Sequence, residues 1–349
     1  EKLQPIANPA INTTGKPENG EIAYTATFEI MPEFPEIDVT SLEVHRASAE
    51  VTDADIDRML ETLRLQRRSF EEVERASVTG DFVMFEYAAA AGDYRFPAEG
   101  LERAGSVLGS GTLFAALDEA LAGHQKGDKF DAEIVFPQDF RNEQLAGKTA
   151  AVSFHLIKVQ EPKLPAIDGE FAKLFGIEDG DLEKFRKEVR ANLERELKAA
   201  LMARLKSEVA EKLADAHGGL DVPNMMVQAE ARSLAVGSVP QGQQPPPQLI
   251  DAAMPIARKR VIAGLLMGEI ARKQGLKIDR TRIAEQLAAI ASTYEEPEQV
   301  IELYNGDPQL MSGLQNRVME DQVAEWVAEH AKTTRQDLSF DDVMRPANA

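Results

Sequence analysis

The 349-residue chain has no cysteine, a single tryptophan and only 6% aromatic residues. Without thiols, disulfide staples and thiolate chemistry are excluded, which fits a reducing compartment. Positive charge is also scarce: 39 Lys and Arg face 59 Asp and Glu, a formal charge of -20. Neutralising phosphates takes a basic face, so direct nucleic-acid binding is disfavoured, and a charge of this size favours solubility. No apolar run approaches the roughly 20 residues that cross a bilayer, and no basic-then-apolar leader is seen. The reading is therefore no membrane contact and a cytoplasmic location. The chain opens on "EKLQP" without an initiator Met, which reads as a fragment of something longer.

Signatures of cofactor chemistry are missing as well. There is no HExxH, no Walker loop and no dinucleotide fingerprint. "GSGTLF" (Gly109 to Phe114) imitates a phosphate cradle but lacks the lysine and a preceding buried parallel strand. His45, His124, His155, His217 and His330 include no pair at ligand spacing and read as surface or packed imidazoles. Glu295, Glu296 and Glu298 read as a solvated face, and Trp326, at helical spacing with Val323 and Val327, as core. Hydrolase, nucleotide and metal readings fail for want of residues, and no cofactor is implied.

What is present is a change of period along the chain. Residues 1–36 are punctuated by Pro and Gly, with one strand-like alternation over Ile22–Pro32 that has no obvious partner nearby. "VTDADIDRMLETLRLQRRSFEEV" (Val51 to Val73) reads as a helix capped by Thr52, with Asp53 and Asp55 in its first turn. From Gly80 to about Glu161 the period becomes two: "DFVMFEY", "FDAEIVF" and "TAAVSFHLIKV" are strand runs separated by glycine turns. "EPKLPAIDGEF" reads as an exit hinge, and the remainder as helical. Leu193, Leu197, Leu201, Leu205, Val209 and Leu213 form one stripe on a helix from Asp181 to Ala216. "HGGLDVP" and the Pro/Gln run Ser238–Gln248 break helices, and further helices are expected over Leu249–Gln274, Asp279–Thr293, Glu298–Asn305 and Gln309–Lys332.

Two resemblances come from particular stretches. "GDFVMFEYAAAAGDYRF" followed by "VLGSGTLFAALDEALAGHQKGDKFDAEIVFPQDF" resembles the strands, pocket helix and flap of FKBP-type peptidyl-prolyl isomerases. "VTDADIDRMLETLRLQ" before it, and "FAKLFGIEDGDLEKFRKEVRANLERELK" and "TYEEPEQVIELY" after it, resemble the trigger factor family of bacterial ribosome-associated chaperones. The resemblance implies an α+β multidomain fold: a small FKBP-like antiparallel sheet wrapped round a short helix, inserted before a large all-α C-terminal domain with arms. It divides the chain into an N-terminal remnant (1–36), a linker with one helix (37–78), the isomerase domain (79–161) and a helical client-binding domain (162–349). The family's Gly-Phe-Arg-x-Gly-Lys ribosome-docking loop is absent here, so a monomer that meets ribosomes only through a missing N-terminal region is expected.

The resemblance also implies sites. Tyr87, Phe96, Leu113, Phe114, Leu117, Phe140 and Val152 match the isomerase pocket; read from the residues alone, they equally suit the core of a small sheet-and-helix domain. The family's acidic residue after the Phe is Pro97 here, its floor aromatic is Leu117 preceded by Ala116 in place of Gly, its last-strand Phe is Val152, and a strand aromatic is Ala104. Truncated walls widen a cleft, so isomerase activity is expected to be weak or lost. Ile290, Tyr294, Val300 and Leu303 match a patch that grips clients, with Met311, Met225, Met226, Met254, Met267 and Met319 as further contributors. The function implied is an ATP-independent chaperone that holds unfolded or nascent polypeptides; the alternative is a prolyl isomerase whose helical domain recruits substrates.

Overall fold

The computed structural model describes residues 10–13, 24–240, 242–294 and 296–345. Of the expectations above, the parts that fall on residues 1–9, 14–23, 241, 295 and 346–349 lie outside the described residues. Strands β1 (Ala10–Thr13), β2 (Tyr24–Thr27) and β3 (Glu43–Ser48) precede helix α1 (Asp53–Gln66). Strands β4 (Ser69–Glu72), β5 (Phe82–Ala91), β6 (Tyr94–Phe96) and β7 (Glu102–Val107), helix α2 (Ala115–Leu121), and strands β8 (Lys129–Val135) and β9 (Thr149–Lys163) follow. Helices α3 (Gly169–Lys173), α4 (Leu182–Ala216), α5 (Asn224–Gly237), α6 (Pro247–Gln274), α7 (Arg280–Ala291), α8 (Pro297–Gly306) and α9 (Pro308–His330) lead to β10 (Lys332–Asp337) and α10 (Phe340–Met344). The expected α+β organisation, a small antiparallel sheet with one short helix followed by a large helical part, is the one observed. The elements gather into two compact units: Thr52 to Asn192, and the residues up to Val51 joined with those from Leu193 onward. Among the described residues no helix is long and apolar enough to cross a membrane.

In the first unit β9 is the axis. Its inner edge pairs with β5, and its other edge is shared end to end by β8, along Thr149–His155, and β4, along Gln160–Lys163. The far edge of β5 takes β7 and then β6. Strand alternation explains which side chains go inward. Ala150, Val152, Phe154 and Leu156 are buried at even positions, but after Leu156 the next buried residue is Val159. The register shifts there, with Phe85 opposite Leu156 and Met84 opposite Lys158, so Ile157 is the extra residue of a bulge that moves the inward face from even to odd numbers. Leu117 and Leu121 of α2 close that face.

Two expectations for this region are corrected. The helix expected to reach Val73 stops at Gln66, because Ser69–Glu72 is drawn into the sheet as β4, where Phe70 lies 5.6 Å from the Phe82 ring. For the same reason the exit hinge starts later than "EPKLPAIDGEF" suggests, since β9 continues to Lys163. The start of α1 is as expected: Thr52 and Asp55 form a reciprocal capping box. The segment between β4 and β5 is held by Arg75, which forks onto the buried Asp81 at 2.5 and 2.9 Å, and by Ser77, bonded to His124 and Gly123 through its backbone and to Leu121 through its hydroxyl.

In the second unit the core joins Val39, Leu42 and Val44 to Leu205, Val209 and Leu213 of α4, Val227 and Ala231 of α5, Val261, Ile262, Leu266 and Ile270 of α6, and Val323, Ala324 and Val327 of α9. The α4 stripe is buried as its four-residue spacing predicts, with Leu201 half-buried. Trp326 packs half-buried against this core and stacks on His330 at 4.1 Å. Some boundaries and one pairing differ from expectation. Helix α6 starts two residues early, because a proline is well suited to a first helical turn. Helix α9 stops at His330, because Lys332–Asp337 leaves it to pair in parallel with β3. The strand that lacked a partner has one, since β2 pairs antiparallel with β1.

Leu156→Ala and Leu266→Ala each empty a fully buried site and should cost about 3 kcal/mol, the first in melting of the sheet unit and the second in melting of the helical unit, as segment-resolved hydrogen exchange would read. Thr52→Ala should cost about 1 kcal/mol of α1 stability. Burial raises the Asp55 pKa, but hydrogen bonds from Thr52 and the charge of Arg58 outweigh it, leaving the group below its ordinary 3.8. A depressed folded pKa stabilises above the unfolded value and loses that contribution as pH falls through the folded one. Asp55→Asn should therefore destabilise at neutral pH and lose its effect below 3.8, as thermal melts across an acid series would measure.

Candidate functional site

The sheet unit draws all seven expected pocket residues into one hydrophobic cluster. Leu117 and Val152 are buried within it; Tyr87, Phe96, Leu113, Phe114 and Phe140 are half-buried at its surface. The elements explain the convergence. Tyr87 and Phe96 come from adjacent strands β5 and β6, their rings 6.3 Å apart. Leu113 and Phe114 lead into α2, with Phe114 at its N-cap position. Phe140 rides on the loop between β8 and β9, edge-on to Phe114 at 5.8 Å. Val152 faces both Ala89 and Ala132 across β9.

Two aromatic groups result. Phe85, Tyr87, Phe96 and Phe154 belong to the strands, whereas Phe114, Phe136 and Phe140 interlock at 4.8 to 5.8 Å. Phe136 was missed as a site residue, although it continues the alternation of Ile134 in "EIVFPQDF" and is buried. Also unforeseen is the stack of His124 on Phe130 at 3.5 Å, extended to Phe154 at 5.1 Å, since these residues meet only through strand pairing and a turn. Burial, and then the charge of Glu102, pushes the Tyr87 phenol above its ordinary 10.0, so it is a neutral donor at physiological pH. Ala104 and Ala116 sit against the cluster where larger or glycine residues were the expectation. The site has apolar walls with hydroxyl donors at hand, suited to a neutral, desolvated peptide.

A second candidate lies on the helical unit. Tyr294, Val300 and Leu303 line a shallow cleft of about 580 Å³ together with Glu296 and Gln299. Tyr294 and Leu303 are 59% and 58% exposed, and helix α8 buries none of its residues. Ile290 and Met311 are half-buried on α7 and α9, the helices that pack against α8. Of the other methionines, Met267 is corrected to core, because it lies on the buried face of α6; Met226, Met254 and Met319 pack half-buried against the same core, and Met225 is exposed.

With both sites described, likeness to known proteins can be stated. Residues 1–63 match the family "Bacterial trigger factor protein (TF)", residues 181–329 match "Bacterial trigger factor protein (TF) C-terminus", and residues 73–159 match "FKBP-type peptidyl-prolyl cis-trans isomerase". The trigger factor of Xanthomonas euvesicatoria pv. vesicatoria is 51% identical over 329 residues, which is 92% of this chain and 76% of the relative. That of Stenotrophomonas maltophilia is 47% identical over 350 residues, 98% of this chain and 80% of the relative. A solved chain titled "Promiscuous Substrate Recognition in Folding and Assembly Activities of the Trigger Factor Chaperone" is 14% identical with a TM-score of 0.44, covering 94% of this chain and 80% of that one. It is too distant to bear on the argument. Identity near one half across nine-tenths of the chain, with all three family matches in order, establishes that the chain belongs to the trigger factor family of chaperones and carries that family's FKBP-type peptidyl-prolyl isomerase domain.

Proposed function

We propose that this chaperone grips unfolded and nascent polypeptides at the α7–α8 cleft, works without nucleotide in the cytoplasm as a monomer, and isomerises prolyl bonds weakly in the aromatic cluster of its sheet. The observation that carries the reading is α8: it has Val300, Ile301, Leu303 and Tyr304 on a ten-residue helix and buries none of them. Leu303 is exposed and Val300, Ile301 and Tyr304 are only half-buried; an apolar helix face that is incompletely covered suits a partner, and a shallow open cleft favours weak, reversible contacts over a fixed ligand. Ile290, Tyr294, Val300, Leu303 and Met311 are the client residues of this reading. Functionally the chain divides at residues 36, 78 and 161 into remnant, linker, isomerase domain and client-binding domain.

For the isomerase, Tyr87, Phe96, Leu113, Phe114, Leu117, Phe140 and Val152 form the cleft. The barrier to rotation is about 18–20 kcal/mol and the reaction needs no nucleophile or base. An environment that strips water from the amide and suits the twisted state better than either planar one lowers it. Support comes from the interlocked Phe114 and Phe140. Small groups at Ala104, Ala116 and Val152 take wall area away, which is why turnover is expected to be slow.

The deciding experiment follows the proline-limited refolding of a test protein while the chain is titrated from trace to equimolar. Acceleration at trace amounts means turnover; slowed refolding with suppressed aggregation only near equimolar ratios means holding alone. Tyr294→Ser with Leu303→Ser should raise the concentration needed to suppress aggregation about tenfold with no change in melting temperature, because both side chains are solvent-facing. Phe114→Ala should lower kcat/KM on a prolyl peptide about tenfold and leave aggregation suppression intact. Loss of both activities in either variant would make the chain an isomerase that recruits through its helices.

A further inference from the structure

The two aromatic walls of the sheet cluster stand on separate pieces of backbone, each rigid in itself. Phe96 is on β6, and the exit from that hairpin is stapled by Arg95, which donates to the carbonyls of Ala98 at 3.1 Å and Gly100 at 3.0 Å. Phe140 is on the loop that follows Phe136. That loop closes on itself through Phe136 N–H to Lys148 C=O and Gly147 N–H to Pro137 C=O, and Leu145, 1% exposed, anchors it in the core.

Asn142 is the hub of the loop. Its carbonyl accepts from the N–H groups of Leu145 and Ala146, both at 2.9 Å, and its side-chain Oδ1 accepts from Gln144 N–H at 3.0 Å. These bonds fix the amide's orientation and leave Nδ2 to donate outward. It donates to the Tyr94 hydroxyl at 3.0 Å. Tyr94 lies two residues from Phe96 on β6, so strand alternation puts the two rings on the same side of the sheet, and both pack on the cluster. Opposite Tyr94 on β5 stands Ala91, too small to hold the tyrosine in place by itself. Pro97, next to Phe96, offers this wall no polar side chain.

We propose that the Tyr94–Asn142 hydrogen bond is a latch that sets the separation between the Phe96 wall and the Phe140 wall, so that Tyr94 and Asn142 are positioning residues for a bound prolyl peptide. Neither touches the reacting amide in this reading; they act through Phe96 and Phe140. The inference rests on the isomerase cleft proposed above. Both partners are uncharged, so the effect should not depend on salt.

The test is a double-mutant cycle on the full chain with Tyr94→Phe, Asn142→Ala and the pair combined, using a tetrapeptide with a phenylalanyl-proline bond. Each single variant should raise KM about two- to tenfold, the range of one neutral hydrogen bond, with kcat little changed. The pair should be no worse than either single, since the same bond is lost. A structural role alone would lower the melting temperature and leave KM unmoved, and that outcome, or additive effects, overturns the latch. Peptide binding is read in parallel by NMR shifts of the Phe140 loop. If the parent chain binds but does not turn over, and Tyr94→Phe weakens binding, the isomerase reading falls and the latch stands. If the parent neither turns over nor binds, both fall.

Discussion

The parallel pairing of β3 with β10 is the constraint on which the helical unit depends. Lys332 N–H bonds to Leu42 C=O and Leu338 N–H to Ser48 C=O, both at 2.9 Å, closing a register from Glu43–Lys332 to Ser48–Asp337. The pairing seats Val44, 1% exposed, with Val39 and Leu42 among four long helices. Side chains reinforce it: Glu208 on α4 accepts from the His45 backbone at 3.2 Å and lies 3.0 Å from its ring nitrogen. Beyond β10, Arg204 donates to the carbonyls of Val343 and Arg345 and holds α10 to α4. The helical unit takes in the chain up to Val51 and again from Leu193, so Thr52–Asn192 lies between two stretches of it. A sheet unit that forms its own core can then be carried as an insertion.

That sheet unit achieves closure by a different device. Its fifteen-residue strand β9 is long enough to serve β8 and β4 on one edge and β5 on the other, and the bulge at Ile157 lets both halves present apolar side chains to one core. The same geometry brings the cluster's aromatic walls from a hairpin, a helix start and a loop. For a reaction whose barrier is rotation about a partial double bond, no nucleophile or base is required and the placement of walls and donors sets what a site can do.

The helical unit does the opposite with its apolar residues. Where α4, α5, α6 and α9 bury theirs, α8 holds Tyr294's cleft open between acidic Glu296 and the apolar Val300 and Leu303. A surface of that kind costs stability in isolation and is useful only if something transient covers it.

Most helices could be read from the sequence alone, because their signals are local: the four-residue stripe of α4 and the cap that starts α1 at Thr52. The core strands were legible too, and the seven residues named from the resemblance are ones that gather in a single hydrophobic cluster. What escaped were elements defined by distant partners. β4 and β10 are polar segments with no inward-facing run of their own; they are strands only because β9 and β3 lie alongside, and they cut short two helices that periodicity would have extended. Met267 reads like Met225 in the sequence, yet one is core and the other exposed, since orientation on a helix is settled by what packs against it. The Tyr94–Asn142 bond joins residues 48 positions apart. Local periodicity marks most of the helical segments and the aromatic-bearing strands; strand partners, burial and the spacing of the walls come only with the fold, because hydrogen-bond pairing and packing depend on groups that local sequence does not bring together.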